Sequence, residues 1–173
     1  LGHMIEQYLG DGSQYGARIQ YSPETEALET GGGIFNALPL LGNEPFLLVN
    51  GDVWTDWNYA EALAVNLGQD LVHLWLVPNP PQHPKGDFGL AAGRVLNPHS
   101  QTQPIEPTYT FSGLSLIHPH LFKNCSNGVF PLAPLLRTAM DAQRAGGAVI
   151  SEHWVDVGTP ERLAQLEAQL GAE

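Results

Sequence analysis

The sequence predicts an α/β fold in which a mostly parallel sheet is flanked by helices, and three observations point to it. Apolar runs at Phe46–Val49 and Leu71–Val77 and a segment of strand character at Thr110–Ile117 are separated by turn and proline signals, as buried strands are. Stretches of helical character lie between them, so strand and helix alternate at short spacing in the manner of a sheet covered by helices. With 173 residues and 43% hydrophobic content, the chain has enough apolar surface for one good core, and residues 1–173 are expected to form a single domain.

The elements follow in order. Met4–Leu9 reads as the last turns of a helix, closed by the turn Gly10-Asp11-Gly12-Ser13. Ala17–Tyr21 alternates like a short strand. The acidic stretch Glu24–Glu29 then leads to Gly31-Gly32-Gly33, and a helix over Ile34–Leu41 opens directly from that loop. Phe46–Val49 is a buried strand that stops on Asn50-Gly51-Asp52, which sets the Asp52 carboxylate at the strand's carboxyl end, where open α/β sheets bind ligands. Asp56 or Asn58 is positioned to cap a helix over Tyr59–Leu67, ended by Gly68. Leu71–Val77 is a second buried strand, cut off by Pro78 and Pro80-Pro81. Residues 78–108 are rich in Pro, Asn, Gln, His and Gly, with strand-like pieces at Phe88–Ala91 and Arg94–Leu96, and read as a surface excursion over a binding site. Thr110–Ile117 returns to strand character and Pro131–Gln143 to helix. Trp154–Val157 leads into a helix over Glu161–Leu170, with Thr159 as N-cap and Pro160 at its first position.

Charge and composition narrow the function classes. Seven Lys plus Arg against eighteen Asp plus Glu give a net charge of −11, which repels a phosphate backbone and argues against nucleic acid and anionic membrane as partners. No stretch approaches the roughly 18 apolar residues of a membrane span, and Leu1-Gly2-His3-Met4 lacks the features of a signal peptide. Cys125 is the single cysteine, which excludes an internal disulfide and a cysteine-based zinc cluster. These features point to the cytoplasm.

Two motifs carry chemistry. Glycines between an extended segment and a helix let a ligand approach the backbone and the free N–H groups of the helix start, although a plain tight turn serves equally well. Asp52 and Asp156 each close a strand-like segment. Two carboxylates at one sheet edge repel each other, and a hard divalent cation resolves that while leaving positions for phosphate oxygens; the alternative is that Asp52 closes a turn and Asp156 belongs to a helix cap. His118-Pro119-His120 lacks a third ligand and reads as surface histidines. His73 reads as a core residue and Cys125 as a spare thiol. Trp54 and Trp57 either flank a pocket or pack.

Gly10-Asp11-Gly12-Ser13-Gln14-Tyr15-Gly16, Leu28-Glu29-Thr30-Gly31-Gly32-Gly33, Val49-Asn50-Gly51-Asp52 and Trp154-Val155-Asp156-Val157-Gly158-Thr159-Pro160 occur in the order found in sugar-phosphate nucleotidyltransferases, and the chain resembles that family over nearly its whole length. Within it, Leu-Glu-Thr-Gly-Gly-Gly followed by Asn-Gly-Asp-Val-Trp-Thr-Asp is most similar to the uridylyltransferases of cell-wall (peptidoglycan) recycling that act on N-acetylmuramate 1-phosphate. The resemblance implies a Rossmann-like mixed sheet of the nucleotide-diphospho-sugar transferase type. It implies a magnesium-dependent enzyme that joins a sugar 1-phosphate to UTP and releases pyrophosphate. Mannose or glucose 1-phosphate nucleotidyltransferases and a non-catalytic nucleotide-sugar-binding subunit are the alternatives. Asp52 and Asp156 match the catalytic magnesium ligands. Glu24, Glu29, Thr30, Gly31 and Asn50 match the nucleotide contacts, and Gly89, Glu106, Ser112 and Gly113 match the sugar-phosphate pocket. Gly89 and Gly113 have a bland alternative as strand glycines permitting a bulge, and Glu106 as a solvated side chain.

Members of the family begin with a strand, a Gly-rich loop containing arginine and a Pro-Lys segment that hold the triphosphate. This chain begins inside the helix that comes after them, so the expectation is an N-terminally incomplete domain with little turnover of its own. The expected partners are a nucleoside triphosphate and a sugar 1-phosphate.

Overall fold

The structure is a computed structural model and describes residues 2–171. Its centre is a six-stranded sheet in the order β1-β6-β3-β7-β5-β4, with β1 Phe46–Val49, β3 Val72–Val77, β4 Phe88–Ala91, β5 Arg94–Leu96, β6 Thr108–Ile117 and β7 Ala145–Val149. β2 (Val53–Thr55) and β8 (Trp154–Asp156) form a separate two-stranded ribbon. The helices are α1 Gly2–Leu9, α2 Glu29–Leu41, α3 Ala133–Asp141 and α4 Pro160–Leu170. Among the described residues no helix is long and apolar enough to cross a membrane.

The sheet is mixed, as predicted, and its directions and hydrogen bonds differ in an informative way. β1, β3 and β4 all run antiparallel to β6, and β7 runs parallel to β3, so these four strands share one direction. Among the described residues only β3 and β7 are hydrogen-bonded as a parallel pair, because β6 lies between β1 and β3 and β5 between β7 and β4. Each face of β3 is covered: Val72, Leu74 and Leu76 enter one apolar cluster with Ile117, Leu136 and Met140, while Trp75 and Val77 enter a second with Trp57, Leu114 and Ile150. That two-sided burial is why Leu71–Val77 reads as a continuous apolar run. α3 turns Leu136, Ala139 and Met140 onto the first cluster at helical spacing.

β6 changes partners along its length. Its start pairs with β4 and its end with β1, and between Trp75 and Leu76 of β3 the register slips so that Ser112 and Gly113 bulge. Gly113 takes φ +81°, and a Cβ there would lie 2.9 Å from Asn50 Cβ. The bulge therefore needs a glycine both for its backbone and for its close approach to Asn50.

Several expectations are corrected. Ala17–Tyr21 forms no strand; among the described residues it pairs with no strand, its Ala17 and Ile19 N–H groups donating instead to the Gly12 and Asp11 carbonyls, and it is exposed or half-exposed. Phe46–Val49 is an edge strand, half-buried rather than buried, since among the described residues it pairs with β6 alone. Tyr59–Ala64 is a 3-10 helix that stops short of Leu67; Asn58 caps it by accepting from the Ala60 N–H, as predicted, whereas Asp56 takes no part. Residues 78–108 are only partly an excursion, because the β4–β5 hairpin belongs to the main sheet and buries Phe88 and Val95. The helix expected over Ile34–Leu41 begins earlier, at Glu29, so the three glycines sit inside its first turns and not in a loop.

Those glycines are explained by packing. A Cβ on Gly31 would lie 2.7 Å from the Phe130 carbonyl oxygen, one on Gly32 would overlap the Gly128 carbonyl oxygen, and one on Gly33 would lie 2.6 Å from Glu24 Oε1. The Gly32 N–H donates to the Phe130 carbonyl at 3.0 Å and the Phe130 N–H to the Leu28 carbonyl at 3.2 Å. The start of α2 is thereby clamped onto residues 128–130 at backbone-to-backbone distance.

Candidate active site

The β2–β8 ribbon brings the two predicted carboxylates together. Val53 stands opposite Asp156, and the Val157 N–H donates to the Asp52 carbonyl at 2.8 Å. Gly158 lies between the side chains: a Cβ there would be 2.9 Å from Asp156 Oδ1 and 3.5 Å from Asp52 Oδ2. Asp156 Oδ1 accepts from the Gly158 N–H at 2.8 Å and from Arg162 Nη2 at 3.2 Å. α4 delivers that arginine because Thr159 caps the helix by accepting from the Arg162 N–H at 3.3 Å. The exposed Asp52 carboxylate accepts no hydrogen bond from the described residues.

Both carboxylates line a cavity of about 220 Å³ together with Asn50, Ser112, Gly113 and Trp154. A neighbouring cavity of about 300 Å³ is lined by Thr30, Asn50, Asp87, Phe88, Phe111 and Arg137, among others. Asn50 and Phe111 are common to the two, so they form the wall between them. Asn50 is fixed by its N–H donating to the Gly113 carbonyl at 3.0 Å. The Ser112 hydroxyl donates to the Trp75 carbonyl at 2.7 Å and accepts from the Leu114 N–H at 3.2 Å. Its one donor is spent on the sheet and the side chain is fully buried, so it has no proton left to offer a ligand.

The other predicted residues lie apart. Glu24 Oε2 accepts from the Leu28 N–H at 3.0 Å, so this side chain folds over the start of α2. Glu29 is exposed at the first position of α2, with φ 57°. Gly31 is buried against Phe130. Gly89 is buried and lines neither cavity; Ile105 covers the place where its side chain would be. Glu106 is exposed beside Asn79, Pro107 and Thr108 in a separate groove. Trp57 is a packing residue, 4% exposed and 4.8 Å ring to ring from Trp75, and Trp54 packs on His153 at 5.2 Å.

Sequence reasoning missed Trp154, Arg162, Arg137 and Asp87. Trp154 stands two residues before Asp156 on β8, so strand alternation alone puts both on one face. Its Nε1 donates to the Ser112 carbonyl at 2.9 Å, tying ribbon to sheet. Asp87 Oδ2 accepts from the Phe111 N–H at 2.8 Å and Oδ1 bonds His83 Nε2 at 3.1 Å. His118 caps the turn that follows β6, its Nδ1 accepting from the His120 N–H, which accounts for the His-Pro-His motif structurally. Burial pushes the Cys125 thiol up from its ordinary value, the opposite of what a nucleophile needs.

The fold is shared with solved structures at low sequence identity. HddC from Yersinia pseudotuberculosis complexed with GMP-PN superposes with a TM-score of 0.72 at 16% identity, over 98% of this chain and 74% of that one. The inositol-1-phosphate CTP transferase from T. maritima gives 0.73 at 15%, over 98% and 71%. These likenesses define an α/β domain of the nucleotide-diphospho-sugar transferase type. No family model matches the chain. The N-acetylmuramate alpha-1-phosphate uridylyltransferase of Neisseria meningitidis is 46% identical over 99% of this chain and 75% of its own length. That of Caulobacter vibrioides is 32% identical over 88% of this chain and 66% of its own length. The chain belongs to the sugar-phosphate nucleotidyltransferase family.

Proposed function

We propose that the protein transfers a uridylyl group from UTP to N-acetylmuramate 1-phosphate, giving the UDP-sugar and pyrophosphate. The observation that carries the chemistry is the pairing of Asp52 and Asp156 across Gly158 at a cavity shared with Asn50 and Gly113. The choice of base and sugar rests on the 46% identity to the Neisseria enzyme over almost the whole chain.

A phosphate oxygen of the sugar 1-phosphate attacks the α-phosphorus of UTP, and pyrophosphate leaves. The attacking group is already an anion, so no side-chain nucleophile is required, and catalysis rests on positioning and charge neutralisation. Asp52 and Asp156 are the residues that would hold a magnesium ion, which neutralises charge on the phosphate oxygens when bound. The donor set fits a hard cation: both are carboxylates, and Asp52 carries no competing hydrogen bond. Among the described residues no group of three or more His, Cys, Asp and Glu gathers as a cage, so a cation held by this pair would need substrate phosphates or water to complete its coordination. The Gly158 N–H and Arg162 hold Asp156 Oδ1 in place, while Asn50 and Gly113 form the adjoining wall.

Asp52→Asn and Asp156→Asn in the full-length protein are each expected to abolish magnesium-dependent pyrophosphate release. Turnover near wild type in either variant would remove that residue from the site. A panel of UTP, GTP and dTTP against sugar 1-phosphates decides the substrates, and a preference for GTP with mannose 1-phosphate would overturn the assignment.

A further inference from the structure

The cavity beside the carboxylates holds a cation without a counterion. Arg137, on α3, lines it with Thr30, Asn50, Asp87 and Phe88. Its guanidinium carbon lies 5.8 Å from the centre of the Phe88 ring, and its Nε is buried without a hydrogen-bond partner. Among the described residues no carboxylate lies within 4.0 Å of it, whereas Arg94 is paired with Asp70 and Arg162 with Asp156. Asp87, the acid in the same lining, is already committed to His83 and the Phe111 N–H. In a chain of net charge −11, a half-buried guanidinium left unpaired is unfavourable, and the Phe88 face compensates it only in part.

The position of the two cavities says which anion completes it. The reacting phosphates belong with Asp52 and Asp156 in the smaller cavity, and the larger one opens across the wall formed by Asn50 and Phe111. A sugar with its 1-phosphate at the carboxylate pair and its remote substituents across that wall meets Arg137, in a cavity whose lining includes Thr30, one of the residues matched above to the nucleotide. N-acetylmuramate differs from N-acetylglucosamine by a lactyl ether, whose carboxylate is its one anionic group away from the phosphate. A guanidinium fork matches a carboxylate in geometry as well as charge.

We infer that Arg137 binds the carboxylate of the sugar-acid substrate and so sets the preference for N-acetylmuramate 1-phosphate over N-acetylglucosamine 1-phosphate; this rests on the function proposed above. Initial rates of the full-length protein with each sugar phosphate at saturating UTP test it. In Arg137→Gln the ratio of kcat/KM for the acidic to the neutral sugar should fall about 10- to 100-fold, the effect of removing one charge-assisted hydrogen-bonded pair. The loss should lie in KM for the acidic sugar rather than in kcat. Arg137→Lys, which keeps the charge and the apolar stem but not the fork, should lose part of the preference and carries the test if the Gln variant does not fold. Equal losses on both sugars, or a loss confined to the KM for UTP, would overturn the inference. A wild-type protein that does not favour the acidic sugar refutes the proposed function itself. A wild type that favours it, with variants that keep the preference, refutes the role of Arg137 alone.

Discussion

Alanine at Gly32 tests whether the glycine triplet is a packing requirement or a ligand cradle. The added Cβ overlaps the Gly128 carbonyl oxygen and lies 3.1 Å from Leu28 Cβ. Since the first of these is backbone, no rotamer change relieves it, and α2 must part from residues 128–130. Overpacking of this kind costs about 1–3 kcal/mol. The two clamp hydrogen bonds, Gly32 to Phe130 and Phe130 to Leu28, are weakened at about 0.5–1.5 kcal/mol each. The gain in helix propensity from glycine to alanine returns about 1 kcal/mol. The net destabilisation is about 1–5 kcal/mol, a fall in Tm of roughly 2–20 °C for a domain of this size. Gly51→Ala is the control, because nothing lies within 4 Å of its added Cβ. Thermal melting of the full-length variants reads the difference. If Gly32→Ala melts with the wild type, the close approach of residues 128–130 is not holding α2. If it melts with the wild type and also loses affinity for UTP, the glycines serve a ligand instead.

Three further outcomes are expected. Burial pushes the His73 imidazole below its ordinary value of 6.5, against an opposing pull from Asp70, and His118 is lowered by burial and then by His120. The unfolded chain therefore binds more protons than the folded one below about pH 6.5, and stability present at neutral pH is lost as the pH falls toward the folded values. Melting temperatures should decline over that window, and His73→Gln should flatten the decline; an unchanged slope refutes the assignment. Trp154→Phe removes the 2.9 Å bond to the Ser112 carbonyl and should cost about 1 kcal/mol, with a Tm equal to wild type as the contrary result. Gly113→Ala forces a side chain into φ +81° against Asn50, at a cost of about 1–2 kcal/mol from backbone strain. It should also raise the KM for both substrates, and unaltered kinetics would detach Asn50 from the site.

Much of the fold was legible because its signals are local. β3 is apolar on both faces and therefore reads as one run, and α4 announces itself through Thr159 and Pro160. β4 and β5 match the predicted pieces residue for residue. What escaped was decided by partners distant in the chain. Whether Phe46–Val49 is central or at an edge depends on β6, and Ala17–Tyr21 alternates correctly without a strand to pair with. The glycine triplet looked like a loop because glycine is a poor helix former; its reason is a backbone segment nearly a hundred positions downstream. In the site, the carboxylate pair was legible from strand ends and family motifs. Arg137 was not, because it lies in a helix whose pattern signals only burial. Ser112 lines the cavity beside the carboxylates, yet the proton of its hydroxyl is spent on the Trp75 carbonyl at the bulge, a geometry that no spacing rule reveals.

The β2–β8 ribbon has a consequence for the order in which the molecule is completed. The Thr55 hydroxyl donates to the His153 carbonyl at 2.7 Å across 98 residues, so the two candidate carboxylates come from strands far apart in the order of synthesis. At ordinary rates of synthesis the second strand is made roughly 5–20 s after the first. During that interval the Asp52 segment is present but has no facing strand, and whatever chemistry the pair performs cannot begin. Closing so long a loop onto three-residue strands is entropically costly, which makes the ribbon a late and weakly held contact. A ligand bridging its two sides would then act as a fastener for β8 and the helix that follows it.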